Sequence, residues 1–241
     1  MNDLKLAKTH DFLKSDTSKL TAVFIHGIAS SSESFKGVLE YLEGLESLKD
    51  VRFVTFDLLG SGKSLKSDEL EYNYDEQIKA LYNSLNELDI NTPLVLVGHS
   101  MGTLIVTRFA SEYPTMVAKL VLVSPPVFTE RDLDDPAFDT AMKAFEDMVS
   151  AKGGDLSKEK AFKNSVENIV KNRENYQTLA NTTIPTVLIY GEKDQLIGQH
   201  NYKRVLSDNS LIRAEKTDGK HSVTQDKYNN IRKSLEEELN A

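Results

Sequence analysis

Short apolar segments recur along the chain and alternate with longer amphipathic ones. The apolar segments are continuous and rich in β-branched residues, as in TAVFI (21–25), VRFVTF (51–56), PLVLV (93–97), KLVLV (119–123) and TVLIY (186–190). Strands of this composition are buried on both faces, as in a parallel sheet that helices cover on both sides. A sixth segment, SLIRAEK (210–216), is more polar and predicts an edge strand.

The amphipathic segments carry apolar residues at intervals of three and four, which is the spacing of one face of an α-helix. These sets are Phe35, Val38, Leu39, Leu42 and Leu45; Ile78, Leu81, Leu85 and Leu88; Leu104, Ile105, Phe109 and Ala110; and Tyr228, Ile231, Leu235 and Leu239. Alternating strands and helices predict an α/β fold, with a mostly parallel central sheet flanked by helices.

Residues 128–182 interrupt this alternation, because they contain no convincing strand. Their apolar residues suit short amphipathic helices: Phe138, Met142, Phe145, Met148, Phe162, Val166 and Ile169. We expect a compact helical insertion here, with Gly153-Gly154 as a joint within it. The α/β core then comprises residues 1–127 and 183–241.

Composition narrows the classes of function. A chain of 241 residues can bury a sizeable core as one α/β domain. Its net charge of −8 disfavours binding to nucleic acid or to an anionic membrane. The absence of cysteine excludes disulfides, thiol catalysis and thiolate metal sites.

The first residues, MNDLKLAKTHDFLKSD, lack the apolar core of a signal peptide, and no apolar run is long enough to span a bilayer. We therefore expect a cytoplasmic protein without membrane insertion.

The stretch GSGKS (60–64) is similar to the end of a phosphate-binding loop. That loop requires a glycine five positions before its second glycine, and Asp57 occupies this position. It must also open a helix, whereas the residues that follow are polar and acidic. Nucleotide binding is therefore the least favoured interpretation.

The stretch VLVGHSMGT (95–103) carries the clearest chemical signal. It is a G-x-S-x-G motif, and it lies between a predicted buried strand and a predicted helix. The turn forces the serine backbone into a strained conformation, and Gly98 and Gly102 leave room for it. This context predicts that Ser100 is a nucleophile.

A serine nucleophile needs a base, and the chain has five histidines. His221 lies in a glycine-bearing loop between the last predicted strand and the last helix, where its side chain can reach a site at the carboxyl ends of the strands. The others are less suited, because they lie in polar segments, brace a turn or should point away from the serine: His10, His26, His99 and His200.

An acid that orients this histidine should lie in another loop at the same edge of the sheet. Asp194 follows the strand TVLIY by four residues, and Glu192 is the alternative. The resulting chain order is Ser100, Asp194, His221, which is nucleophile, acid and base.

An oxyanion needs hydrogen-bond donors. We expect one from the backbone N–H of Met101, directly after the nucleophile. The other should come from the loop after TAVFI, from the N–H of Ile28 or alternatively of Ala29.

With these residues assigned, the chain resembles the α/β-hydrolase superfamily from about residue 20 onward. The matching pieces, in order, are HG (26–27), D-x-x-G-x-G-x-S (57–64), GHSMG (98–102), GEKD (191–194) and GKHS (219–222). The resemblance implies that GSGKS belongs to a tight turn near the active-site mouth. Asp57 and Ser64 then make structural hydrogen bonds, with a substrate role for Asp57 as the alternative.

The resemblance further implies that residues 128–182 are the helical cap over the nucleophile. We expect a subset of its apolar residues to line an acyl pocket, with packing against the body of the protein as the favoured alternative for most of them individually: Phe128, Phe138, Met142, Phe145 and Met148. Thr103 departs from the common pattern, because a third glycine often stands there, and we expect it to crowd the start of the helix slightly.

The function that the motifs imply is hydrolysis of a small-to-medium carboxylic ester with an apolar acyl chain, through an acyl-enzyme on Ser100. We expect neither a metal nor an organic cofactor, and a monomer or homodimer. The same fold and triad occur in C–C bond hydrolases, in lyases and in the menaquinone-pathway synthase that eliminates pyruvate. A ligand receptor without catalysis on the same scaffold is a further alternative.

Overall fold

The computed structural model describes residues 4–151, 159–197 and 199–241, and these residues form one seven-stranded sheet. Its strands are β1 (Ala7–Phe12), β2 (Leu20–Ile25), β3 (Val51–Asp57), β4 (Leu94–His99), β5 (Val117–Val123), β6 (Thr186–Gly191) and β7 (Ile212–Thr217). Their spatial order is β1-β3-β2-β4-β5-β6-β7, and every pair except β1–β3 is parallel. The predicted mostly parallel α/β fold is confirmed.

Strand β1 was not expected from the sequence. Its residues, AKTHDF, are polar and half-exposed, because β1 pairs antiparallel with β3 at the edge of the sheet. Arg52 on β3 reaches across the pair and donates two hydrogen bonds of 2.8 Å to the Asp11 carboxylate. Charged side chains are typical of an edge strand, and because of them β1 does not form an apolar run in the sequence.

The helices lie on both faces of the sheet. Their bounds are α1 (Lys36–Glu43), α2 (Tyr74–Asn86), α3 (Met101–Glu112), α4 (Glu130–Leu133), α5 (Pro136–Ser150), α6 (Lys160–Ser165), α7 (Asn175–Ala180), α8 (Tyr202–Asp208) and α9 (Gln225–Leu239), with a π-helical turn at Val166–Val170 between α6 and α7. Helices α1 and α9 cover one face of the sheet, and α2, α3 and α8 cover the other. None of the helices in the described ranges is long and apolar enough to cross a bilayer.

Alternate side chains of the central strands pack into two hydrophobic cores, one on each face of the sheet. Along β2, Ala22 and Phe24 pack toward α1 and α9, whereas Val23 and Ile25 pack toward α2 and α3. Full burial of such a side chain stabilises the fold by about 1.5–3 kcal/mol. This packing fixes the register of the strands and the positions of the loops at their carboxyl ends.

The described part of the segment between β5 and β6 contains helices and no strand, as the sequence predicts. In α5 the buried side chain is Phe138, whereas α6, the π-helical turn and α7 bury a larger set: Phe162, Ser165, Val166, Ile169, Val170, Tyr176, Leu179 and Ala180. The predicted joint at Gly153-Gly154 lies outside the described residues.

The second half of this segment is bound to the core at Glu71. The Glu71 carboxylate accepts from Lys160 Nζ (2.9 Å) and Asn164 Nδ2 (3.0 Å), and its carbonyl accepts from Asn168 Nδ2 (2.8 Å). The α6–α7 part of the segment is therefore joined to the core by side-chain hydrogen bonds as well as by its buried residues.

The GSGKS stretch forms a turn around Asp57 rather than the start of a helix. The Asp57 carboxylate accepts 2.8 Å hydrogen bonds from the backbone N–H groups of Ser32 and Lys63. Gly62 has φ +47°, and a Cβ on it would lie 2.0 Å from Asp57 Oδ2. The glycine is required for this turn, and the chain after Ser64 continues as a loop until α2 begins at Tyr74.

Candidate active site

Ser100 lies at the sharp turn between β4 and α3. Its backbone has φ 51° and ψ −125°, a strained conformation for a residue with a side chain. A Cβ on Gly98 would lie 2.6 Å from Thr103 Cα, and one on Gly102 would lie 2.1 Å from the Ile25 carbonyl oxygen. The two glycines of the motif therefore permit the turn and the close approach of α3 to β2.

Thr103 fits the start of α3 without the expected crowding of the helix. Its side chain is buried, and its hydroxyl donates a 2.6 Å hydrogen bond to the Ser100 carbonyl oxygen. The Thr103 backbone N–H donates to the same oxygen at 2.9 Å. The threonine thus helps to hold the turn that presents Ser100.

His221 and Asp194 come together from two loops at the carboxyl edge of the sheet. His221 Nδ1 lies 2.8 Å from Asp194 Oδ2, while Asp194 Oδ1 accepts from the backbone N–H groups of Leu196 (2.9 Å) and Ile197 (3.1 Å). Burial acts to raise the pKa of Asp194, but the hydrogen bonds and the nearby imidazole lower it below its ordinary value. An ionised carboxylate only accepts, so Nδ1 of His221 carries the proton of this hydrogen bond, and in the neutral ring Nε2 then has the free lone pair.

Glu192, the alternative acid, does not contact this histidine. Its carboxylate pairs with Lys216 Nζ at 3.0 Å, and both side chains are exposed. The geometry thus brings Asp194, and not Glu192, to the imidazole.

Ser100 and His221 border the same cavity. Within the described part of the chain, the hydrogen bond of the His221 ring runs to Asp194, and none joins the ring to Ser100. Transfer of the serine proton requires Nε2 and Oγ to come within hydrogen-bond distance. Such contacts are often long without substrate and tighten when it binds.

The loop after β2 lies directly against Ser100. A Cβ on Gly27 would come within 2.9 Å of Ser100 Cβ, so glycine is needed for this approach. Ile28 and Met101 line the cavity beside Ser100, and neither backbone N–H has an acceptor among the residues that the structure describes. Ala29, the alternative donor, has φ 53° and borders a smaller neighbouring cavity of about 30 Å³.

His26 is built into the support of this loop. The Leu58 backbone N–H donates to His26 Nε2 at 3.0 Å, so Nδ1 carries the proton and donates to the Gly27 carbonyl at 2.8 Å. Burial lowers the pKa of His26, which keeps the ring neutral. Its two hydrogen bonds connect the loop after β2 with the loop after β3.

His99 lies behind the site, with its side chain away from the cavity. Its ring centroid is 5.1 Å from that of His221, and its Nε2 donates a 3.0 Å hydrogen bond to the His221 carbonyl oxygen. Burial, followed by the nearby charge of His221, lowers the pKa of His99 to about 3. Its Nδ1 is buried and has no hydrogen-bond partner within the described ranges.

The cavity next to Ser100 has a volume of about 590 Å³. Five residues that the sequence suggested for an acyl pocket line it: Phe128, Phe138, Met142, Phe145 and Met148. Phe128 and Phe138 pack edge to face, with ring centroids 5.0 Å apart. Most of the residues that line this cavity are therefore apolar, and three of them are phenylalanines.

Part of the cavity lining was not predicted from the sequence. Asp132 and His200 line the cavity and form a pair, with His200 Nε2 2.8 Å from Asp132 Oδ1. The segment Gln195–Leu196–Ile197, just after Asp194, also contributes. Neither pattern nor spacing in the sequence places His200 beside Asp132, because the contact depends on how α4 docks on the core.

The described residues contain no group of three or more histidine or acidic side chains placed to bind a metal ion. Two of the titratable pairs at the cavity are hydrogen-bonded: Asp132 with His200, and His221 with Asp194.

The fold and the motifs define the family to which the chain belongs. The family model described as the alpha/beta hydrolase fold matches residues 23–157, more than half of the sequence. The chain is therefore a member of the α/β hydrolase family.

Relatives agree with this assignment. The chain is 26% identical over 225 residues to the uncharacterized hydrolase YugF of Bacillus subtilis (strain 168), with 80% of each protein covered. It is 33% identical over 109 residues to the probable lysophospholipase BODYGUARD 5 of Arabidopsis thaliana, which covers 45% of this chain and 25% of that protein. The chain thus matches only a quarter of the length of that plant relative.

Solved structures show the same fold. The esterase EaEST from Exiguobacterium antarcticum superimposes with a TM-score of 0.73 at 19% identity, covering 98% of this chain and 96% of that one. At this identity the likeness concerns the fold.

Proposed function

We propose that this protein is a serine hydrolase that cleaves a small-to-medium carboxylic ester through an acyl-enzyme on Ser100. The observation that carries the proposal is the single cavity bordered by Ser100 and His221, with His221 hydrogen-bonded at 2.8 Å to a buried Asp194. A nucleophile, a base and an orienting acid in this relation are the parts of a Ser-His-Asp triad.

In the first step Ser100 Oγ attacks the ester carbonyl carbon while His221 Nε2 takes the hydroxyl proton. Asp194 holds the imidazole with Nδ1 protonated and stabilises its positive charge. The carbonyl oxygen becomes an oxyanion, which accepts hydrogen bonds from the backbone N–H groups of Ile28 and Met101. The C–O bond to the alcohol then breaks, and His221 protonates the departing alcohol.

Water completes the cycle. His221 Nε2 takes a proton from water as its oxygen attacks the acyl carbon, and the same N–H groups stabilise the second oxyanion. The bond to Ser100 Oγ breaks, the serine recovers its proton from His221, and a carboxylic acid leaves. All the groups needed belong to the chain, and no cofactor enters this scheme.

The cavity supports an apolar acyl substrate of limited size. A volume of about 590 Å³ lies within the usual range of small-molecule pockets, roughly 300–1,000 Å³. The aromatic and methionine side chains of the wall, including Phe138, Met142 and Phe145, favour an aliphatic or aromatic chain over a charged one.

We further propose that residues 128–182 are the cap of the enzyme, with residues 1–127 and 183–241 as its catalytic core. The cap contributes Phe128 and residues of α5 to the lining of the cavity that Ser100 and His221 also border. A wall from a separate helical segment shields the acyl-enzyme from bulk water. The cytoplasmic location and the monomeric or dimeric state remain predictions from the sequence.

A series of p-nitrophenyl esters from acetate to dodecanoate tests this function. We expect turnover by the wild type that peaks at one chain length and falls to the background rate in Ser100→Ala. Phe138→Ala removes an aromatic ring from the wall, so the preferred chain should become longer by roughly two to four carbons, at about 0.8 kcal/mol per buried CH₂.

Two controls complete the series. Ser124→Ala, a buried serine at the end of β5, should retain turnover if its conformation is preserved, because its hydroxyl does not line the cavity. If folded wild-type protein shows no turnover above Ser100→Ala, the ester-hydrolase proposal is wrong, and C–C cleavage, elimination or ligand binding should be tested instead.

A further inference from the structure

The loop that carries His221 has no regular secondary structure, yet its backbone is held at consecutive positions. The loop runs from Asp218 to Thr224, between β7 and α9. The Gly219 carbonyl accepts from the Lys193 backbone N–H at 3.0 Å. The next three carbonyls accept from side chains rather than from backbone.

Lys227, in the first turn of α9, binds two of these carbonyls. Its Nζ donates to the Lys220 carbonyl at 2.6 Å and to the Ser222 carbonyl at 2.9 Å. The side chain is fully buried, and Asp226 Oδ2 lies 3.4 Å from the ammonium group. The two carbonyls are those on either side of His221.

His99 binds the carbonyl between them. Its Nε2 donates to the His221 carbonyl at 3.0 Å from behind the active site. Three consecutive carbonyls, at residues 220, 221 and 222, are thus held by two buried donors from different elements, β4 and α9.

We propose that Lys227 and His99 are positioning residues for the base, His221. This inference rests on the proposed function, because it assigns their role to the catalytic histidine. A buried ammonium group is costly unless it is hydrogen-bonded and paired, so its presence here needs a reason beyond packing. Holding the loop carbonyls on both sides of His221 fixes the backbone from which the imidazole projects toward Ser100 and Asp194.

A displacement of a catalytic group by about 1 Å can lower a rate by roughly 10²-fold. Lys227→Met keeps the length and apolar stem of the side chain and removes the donor. We expect kcat to fall by roughly 10- to 100-fold while KM changes by less than about threefold, because the substrate cavity does not include Lys227.

Lys119→Met is the matched control. Lys119 on β5 is also a buried lysine that bonds to α9, with Nζ 3.2 Å from the Ser234 carbonyl, but it lies far along α9 from the His221 loop. The Lys119→Met substitution should lower the free energy of unfolding and leave kcat of the folded protein within about twofold of the wild type. Equal kcat in Lys227→Met and Lys119→Met, both folded, overturns the proposal.

A second readout does not depend on turnover. The proton between His221 Nδ1 and Asp194 gives a downfield resonance in the ¹H NMR spectrum, which is assigned by its loss in His221→Gln. We expect this resonance to be broadened or lost in folded Lys227→Met and retained in Lys119→Met. Retention in both variants contradicts the positioning role.

This design separates the two proposals. Wild-type protein without Ser100-dependent turnover rejects the ester-hydrolase function, while the resonance still tests whether Lys227 holds His221. If Lys227→Met does not fold, His99→Phe tests the same loop through its central carbonyl. It should weaken the resonance and lower kcat in the same way, and an unchanged resonance in folded His99→Phe rejects the inference.

Discussion

His99 and His221 lie side by side but differ in their surroundings. His221 borders the cavity and bonds to a carboxylate, whereas His99 is buried beside the imidazole of His221 and the ammonium group of Lys227, with His26 also nearby. Burial and these neighbours lower the pKa of His99 to about 3, from an ordinary value of 6.5. Between these two pKa values, His99 is therefore protonated in the unfolded chain and neutral in the native protein.

This difference in the pKa of His99 predicts that acid lowers the free energy of unfolding. Between pH 6.5 and about 3 the unfolded state holds the extra proton, so stability rises with pH through this range and is fully present above it. Each such group contributes a slope of about 1.4 kcal/mol per pH unit once the pH is well below 6.5. His26, whose pKa burial also lowers, adds to the wild-type slope in the same direction.

The measurement is the free energy of unfolding in urea between pH 5 and pH 6. His99→Phe should reduce the slope by about one proton relative to the wild type. An identical slope in wild type and His99→Phe would mean that His99 is protonated in the native state.

A second prediction at the scale of single residues concerns Asp194. Asp194→Asn removes the charge that holds Nδ1 protonated, so kcat/KM should fall by roughly 10⁴-fold. Glu192→Gln is the matched control, since Glu192 pairs with Lys216 at the surface and should keep kcat/KM within about twofold. Comparable losses in both variants would argue against Asp194 as the orienting acid.

Sequence reasoning identified Ser100, Asp194 and His221 as candidates because each follows a strand at the same edge of the sheet. It did not identify Lys227, although Lys227, Ile231 and Leu235 are spaced by four and share the buried face of α9. A lysine in register with an apolar stripe signals a buried charge. Its partners, two carbonyls of a loop, cannot be inferred without the fold.

The elements that carry the site depend on close backbone contact between α3 and β2. A Cβ on Gly102 would lie 2.1 Å from the Ile25 carbonyl oxygen and 2.5 Å from that of His26. Both oxygens belong to the backbone of a central strand and its loop, so neither can move independently. Gly102 is therefore required at the start of α3.

Gly102→Ala should lower the free energy of unfolding by roughly 3 kcal/mol, at the upper end of the usual cost of overpacking. Gly44→Ala is the control, because Gly44 is exposed with φ −69° and its Cβ would meet no atom closer than 3.5 Å. It should change stability by less than about 1 kcal/mol. Urea unfolding of both variants checks this, and equal effects would contradict the close contact.

At the scale of elements, continuous apolar runs located the five strands β2 to β6, because burial on both faces leaves a strong sequence signal. The more polar segment SLIRAEK predicted the edge strand β7. Strand β1 was missed for the opposite reason, since its half-exposed residues alternate weakly and its partner β3 is distant in sequence. Pairing at an edge depends on tertiary contacts that local pattern does not contain.

At the scale of the whole molecule, the central sheet is covered by helices, and the helical segment between β5 and β6 has halves that differ in burial. Helix α5 buries Phe138 among its side chains, whereas α3 buries most of its residues. Opening of a segment costs less free energy when it buries fewer apolar contacts.

Hydrogen exchange followed by mass spectrometry should therefore separate these elements. We expect the backbone amides of α5 to exchange at least 100-fold faster than those of α3, with α6 and α7 between them. Protection of α5 equal to that of α3 would show that α5 is held as firmly as the core.

Covalent capture of the nucleophile tests the central claim, that Ser100 is the nucleophile of this cavity. The folded protein is treated with diethyl p-nitrophenyl phosphate, which phosphorylates an activated serine, and the modified peptide is located by mass spectrometry. We predict one adduct, on Ser100, that is absent in Ser100→Ala and forms at least 100-fold more slowly in His221→Ala. An adduct on another residue, or none in folded wild-type protein, would contradict the account.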